Sequence, residues 1–99
     1  MAKAETRIVR KILLALGETF PGSYFRKIHG NPFQHIGIPD ILGCVDGYFF
    51  GLEVKTDSGK TSLAQELEGD CIKTAGGFFG VVRSPEDAIT FIQKALKSV

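Results

Sequence analysis

The dipeptide Asp46-Gly47 stands between two apolar runs, 41–45 (ILGCV) and 48–55 (YFFGLEVK). Asp-Gly in that setting is the strongest short hairpin signal, because a type I′ turn needs a positive φ at both central residues. With these two residues in the turn, the strand pairing follows by arithmetic. Val45 opposes Tyr48, and the position numbers of every further pair sum to 93: Cys44 with Phe49, Gly43 with Phe50, Leu42 with Gly51, Ile41 with Leu52, then Asp40 with Glu53. A four-residue loop keeps this register and a three-residue loop does not.

The last pair has chemical consequences. Directly opposed residues share a sheet face with Cβ atoms ~4.5–5.5 Å apart, where like charges repel unless something compensates. Lys55 lies two residues beyond Glu53 and points to the same side, while Phe50, Leu52 and Val54 point to the other, as core. Gly51 is expected to leave the charged side open next to Glu53. Two carboxylates and an ammonium around an open space suit a hard divalent cation, which takes oxygen ligands and keeps positions for water and phosphate. The competing reading is a solvated Asp/Glu/Lys cluster on an exposed face.

The rest of the chain reads as one α+β domain over residues 1–99, without repeats, low-complexity tracts or linkers. Residues 5–16 carry Ile8, Val9, Ile12, Leu13 and Leu16 at helical spacing, with Gly17 as a stop and Glu5 on the same stripe. The N-terminal stretch keeps charges at that spacing and shows no cleavage site, so a helix is expected there and no signal peptide. Residues 23–28 form a strand and 29–39 a Gly/Pro loop. Ser62 caps a second helix with Gln65 as its capping-box partner and Leu63, Leu67, Cys71 and Ala75 as the expected apolar face; Gly76-Gly77 ends it. Residues 78–83 are a strand. Ser84-Pro85-Glu86-Asp87 starts a last helix, with Ala88, Ile89, Ile92, Ala95 and Leu96 on one face. The order is α-β-β-β-α-β-α.

A net charge of +1 argues against a protein that simply coats nucleic acid, but the charge is uneven. Residues 1–39 hold Lys3, Arg7, Arg10, Lys11, Arg26 and Lys27 against Glu5 and Glu18, net +4; residues 40–99 are net −3. A basic half beside an acidic half can seat a phosphate backbone next to carboxylates; a mixed solvated surface is the plainer reading. Cys44 and Cys71 make no CxxC pair, which argues against zinc and for a reduced, cytoplasmic setting. No apolar run approaches a membrane span. Gly59-Lys60-Thr61 lacks the earlier glycine that a phosphate-binding P-loop requires, since position 54 is Val; 56–61 is read as a mobile loop.

The stretch GIPDILGCVDGYFFGLEVK resembles the catalytic signature of the PD-(D/E)XK nucleases, with Pro39-Asp40 as the PD and Glu53-Val54-Lys55 as the ExK. The Gly-Ile-Pro-Asp start, the EVK strand, the helix with Gln65, the Gly76-Gly77 stop and the closing VVRSPEDA are most similar to virus-type replication–repair nuclease (VRR-NUC) domains, over nearly the whole chain. The resemblance implies a restriction-endonuclease-like α/β sandwich, a mixed sheet flanked by helices. It implies Mg²⁺- or Mn²⁺-dependent hydrolysis of DNA phosphodiesters. Asp40, Glu53 and the Val54 carbonyl would be metal ligands, Glu5 would approach the metal directly or through water, Lys55 would be the catalytic lysine, and Gln65 would shape the site. Free-standing phage members of the family are homodimers resembling Holliday-junction resolvases, whereas fused members act as single copies on flaps. Expected partners are therefore branched DNA, four-way junction or flap, and a second copy of the chain, in a bacterial or phage-infected cell. A DNA-binding module without turnover is the rival from another class.

Individual residues keep double readings. Glu5 also suits a helix N-terminus, and Gln65 also serves Ser62 as a cap. Arg7, Arg10, Lys11 and Lys60 are candidate phosphate contacts or ordinary solvated side chains. Arg26 and Lys27 alternate, so only one can face the site. His29 and His35 are loop histidines without metal-ligand spacing. Phe20, Phe25 and Phe33 serve local packing, a dimer edge or a wedge into a junction.

Overall fold

The computed structural model describes residues 3–31 and 33–99; Pro32 of the expected loop and the Lys3 side chain lie outside that description. The elements are α1 (Lys3–Thr19), β1 (Tyr24–Lys27), β2 (Ile41–Val45), β3 (Tyr48–Val54), α2 (Leu63–Thr74), β4 (Phe78–Val82) and α3 (Pro85–Lys97), the expected order. The described strands form one mixed sheet, β1-β2-β3-β4, antiparallel across its first two pairs and parallel between β3 and β4. Asp46 and Gly47 have φ of 53° and 86°, as a type I′ turn demands. The β2–β3 register runs from Val45↔Tyr48 to Ile41↔Leu52, as the turn dictates.

One face of the sheet is dry. Phe25, Ile41, Val45, Phe50, Leu52, Val54 and Val82 are buried there with Val9, Ile12 and Leu16 of α1 and Ala88, Ile92 and Ala95 of α3. Phe50 is the hub: its ring lies 5.2 Å from Phe78, 6.2 Å from Phe91 and 6.4 Å from Phe25, centroid to centroid. Phe25 is thus a core residue and Phe20 packs against the core, while Phe33 is 97% exposed.

Among the described helices, α2 alone packs on the other face, over β3 and β4. Here three expectations are corrected. The apolar face assigned to α2 points to solvent: Leu63, Leu67, Cys71 and Ala75 are all exposed. The helix seats instead on Gly69, where an added Cβ would lie 2.5 Å from the Phe79 ring, and on Ile72. Gly51 does not leave a vacancy, because Ile72 and Pro39 close over it, and a Cβ there would meet them at 2.8 and 3.1 Å. The first helix does not stop at Gly17 but runs to Thr19; Gly17 faces solvent, buried Leu16 anchors the last turn, and the chain turns at Gly22 with φ 86°.

Strand ends differ from the expected bounds by one residue. Gly76-Gly77 ends α2, with the Gly77 N–H donating to Ile72 O at 2.9 Å. Ser84 caps α3 by accepting from Asp87 N, with Pro85 at the first helical position. Both cysteines are free, and no described helix is long and apolar enough to cross a membrane.

Candidate active site

The C-terminal ends of β1, β3 and β4 and the N-terminal end of β2 lie at one edge of the sheet. Pairing extends one step past β1, where the Ile28 N–H donates to Asp40 O at 2.8 Å. The β2–β3 ladder stops at Ile41↔Leu52, and beyond it the Asp40 side chain takes over: its Oδ2 accepts from the Val54 N–H at 2.9 Å. A carboxylate therefore ends the hairpin where the next residue pair would be, and the bond fixes it beside Glu53.

Glu53 is 2% exposed, the one buried charged side chain among the described residues. Its Oε2 accepts from Gln65 Nε2 at 2.9 Å and lies 3.6 Å from Lys55 Nζ. Its Oε1 is buried without a partner. Burial pushes the Glu53 carboxyl up to about 8, helped by the charge of Asp40 and by a hydrogen bond to Asp40 that only the protonated carboxyl can donate; Lys55 opposes the shift without cancelling it. An ionised carboxylate here is short of positive charge, and one of its oxygens is short of a donor.

Gln65 combines both of its sequence readings. Its Oε1 accepts from the Ser62 N–H at 2.9 Å, and the Ser62 hydroxyl accepts from the Gln65 N–H, which completes the capping box. With its oxygen held by the cap, the amide must present its NH₂ to Glu53. The cap thereby fixes the orientation of a group at the site.

The pair of carboxylates, the orphaned Oε1 and the raised carboxyl fit a hard divalent cation, which would supply the missing charge and take oxygen ligands. Glu5 is not gathered with them: no group of three or more His, Cys, Asp or Glu side chains poised for a metal occurs among the described residues. It sits half-buried in the first turn of α1, which runs back along β1, so that this turn lies at the site's end of the sheet.

The basic candidates divide between the faces. Arg26 pairs with Leu42 and so shares the site's face, with its guanidinium 4.1 Å above the Tyr24 ring. Lys27 faces the α1 side, where it lines a cleft of about 240 Å³ with Arg10, Thr6 and His29. Arg7, Lys11 and Lys60 are exposed, and His35 pairs with Glu68 at 3.1 Å. Loop 56–61, expected to be mobile, is strapped by Arg83, whose guanidinium donates to the carbonyls of Thr56 and Gly59. The sequence reading gave Arg83 no role, and its partners lie too far along the chain for any local pattern to signal them.

No family model and no curated protein matches the sequence. Solved structures do match the fold, among them two VRR_NUC proteins. One is a VRR_NUC domain, 24% identical, with a TM-score of 0.66 over 91% of this chain and 95% of its own. The other is a VRR_NUC domain protein, 16% identical, with a TM-score of 0.67 over 91% of this chain and 88% of its own. The chain has the fold that these VRR_NUC domains share.

Proposed function

We propose that the chain is a VRR-NUC member of the PD-(D/E)XK nucleases: a metal-dependent, structure-selective DNA endonuclease that acts as a homodimer on four-way junctions. The observation that carries this reading is the buried, partnerless Oε1 of Glu53, set beside Asp40 and Lys55. A module that only bound DNA would gain nothing from burying a carboxylate next to a second one facing phosphates.

Asp40, Glu53 and the Val54 carbonyl would hold Mg²⁺ or Mn²⁺, with Glu5 approaching directly or through water. Bound there, the ion would polarise the phosphate and lower the pKa of water. The Val54 N–H keeps Asp40 turned toward Glu53, and Gln65 keeps Oε2 of Glu53 engaged so that Oε1 stays free. Lys55 presents its ammonium on the same side, where it can orient the attacking water and offset charge building on the phosphoryl oxygens. Arg7, Arg10, Lys11, Arg26, Lys27 and Lys60 would position the DNA backbone without reading its sequence. One chain carries one such site, and a two-fold dimer supplies the second needed to cut two strands symmetrically.

The test uses labelled four-way junction, flap and linear duplex with Mg²⁺, Mn²⁺ or EDTA. Paired symmetric nicks on the junction, lost in EDTA and in Asp40→Ala and Lys55→Ala, are the expected result. Cutting that survives EDTA or either substitution overturns the metal mechanism. Cutting confined to flaps, or a monomer on a sizing column at assay concentration, overturns the dimeric resolvase.

A further inference from the structure

The position of Lys55 depends on the loop that follows it. Inside that loop the Gly59 N–H donates to Thr56 O at 3.0 Å and closes a tight turn. A Cβ built on Gly59 would lie 3.4 Å from both Cβ and Cδ of Lys55, so the turn runs alongside the lysine's methylene stem within a methyl group's reach. The turn directs the carbonyls of Thr56 and Gly59 toward one point, occupied by Nη1 of Arg83 at 2.5 and 2.8 Å; Asp57 O stands farther off at 3.5 Å. Nη1 carries two hydrogens, and the two short bonds use both.

Arg83 is itself anchored. Its N–H donates to Asp87 Oδ2 at 3.0 Å, in the first turn of α3, and the preceding residue, Val82, accepts from the Lys55 N–H at 3.1 Å. Neighbouring residues at the end of β4 thus hold Lys55 twice: Val82 by its backbone, Arg83 through the turn beside its stem. A lysine stem is flexible and its ammonium compact, so an unsupported Lys55 would sample many positions around Glu53.

We propose that Arg83 is a positioning residue for Lys55, acting through the 56–59 turn rather than by touching DNA. The inference rests on the nuclease reading for its effect on rate, but not for its effect on the loop. Supporting contacts of this kind are worth about 10- to 100-fold in activity at metal sites.

The experiment compares wild type, Arg83→Ala and Arg83→Lys as full chains. At saturating junction DNA, Arg83→Ala should lower the single-turnover rate about 10- to 100-fold while DNA affinity holds, and Arg83→Lys should recover part of it. An unchanged rate overturns the proposal. So does weaker DNA binding with an unchanged rate at saturation, which would make Arg83 a phosphate contact. Hydrogen exchange gives the second readout: the Gly59 amide should exchange faster in Arg83→Ala while the β3 amides keep their protection. Loss of protection across β3 would make Arg83 a residue of the fold at large and overturn the proposal. If wild type cuts no DNA, the nuclease reading fails, and the ¹⁵N signal of the Lys55 ammonium decides alone: a shift in Arg83→Ala upholds positioning, an unchanged signal overturns it.

Discussion

The two faces of β3 follow opposite rules. Phe50, Leu52 and Val54 point into a layer closed by two helices and are fully buried. Gly51 and Glu53, between them in sequence, are also buried, yet they face a side that one helix covers over only half the sheet. The first face is built to exclude water. The second buries a carboxylate without completing its hydrogen bonds, a cost that hydrophobic packing does not repay. Alternation along one strand lets a small domain place the group that strains it within one residue of the groups that hold it together.

The largest effect should come from the dry face. Phe50→Ala is expected to cost about 3–5 kcal/mol in a urea titration, since three aromatic rings meet there. A loss under 1 kcal/mol would mean that this face is not the stabilising one. The same experiment on the other face should reverse sign. Glu53→Gln replaces a buried carboxyl that is costly to ionise and should leave the metal-free protein as stable as wild type or more so at pH above about 8, where the wild-type group is charged, while cleavage falls about 100- to 1000-fold. A Glu53→Gln variant destabilised at that pH would break the contrast between the faces.

The pH dependence sharpens it further. The folded Glu53 carboxyl is raised from 4.5 to about 8, so between those values the folded chain holds a proton that the unfolded chain releases. Stability of the metal-free protein from this group is full below 4.5, falls as pH rises toward about 8, and then levels off. The slope is at most about 1.4 kcal/mol per pH unit. Thermal melts in chelator at several pH values should show this decline in wild type and not in Glu53→Gln; a decline common to both assigns it elsewhere. Added Mg²⁺ should raise the wild-type midpoint most at the alkaline end, where the carboxylate is ionised.

Smaller effects belong to α2. Ser62→Ala should cost about 1 kcal/mol through the lost cap, and cleavage should fall with it because the cap orients Gln65. Leu67→Ser should stay within about 0.5 kcal/mol, as Leu67 is 55% exposed. A larger loss for Leu67→Ser would restore the face that the sequence pattern favours.

That face shows where sequence reasoning reaches its limit. The hairpin register could be read to the residue because a two-residue turn leaves no freedom, and with it came the neighbouring carboxylates and the side on which Lys55 lies. Apolar spacing along α2 pointed to Leu63, Leu67 and Cys71, but a helix packs where its partner surface admits it. The Phe79 ring admits a glycine, so the helix turned toward Gly69 and Ile72. The Gly51 vacancy failed for the same reason, since whether a missing side chain leaves a hole depends on what another element puts there. Arg83 gave no signal because its bonds reach back 24 to 27 residues.

The tight turn at Asp46-Gly47 also bears on the order of folding. A hairpin closed by two residues forms on a scale of about 1–10 μs, whereas β4 can join β3 only after the chain has passed through α2. Asp40 and Glu53 are therefore expected to meet early, while both are still solvated and repel only weakly. Their repulsion should grow as β4 and α2 arrive and exclude water. On this account the site is shaped early and becomes costly late, and a divalent ion present during folding would speed the later step more than the first.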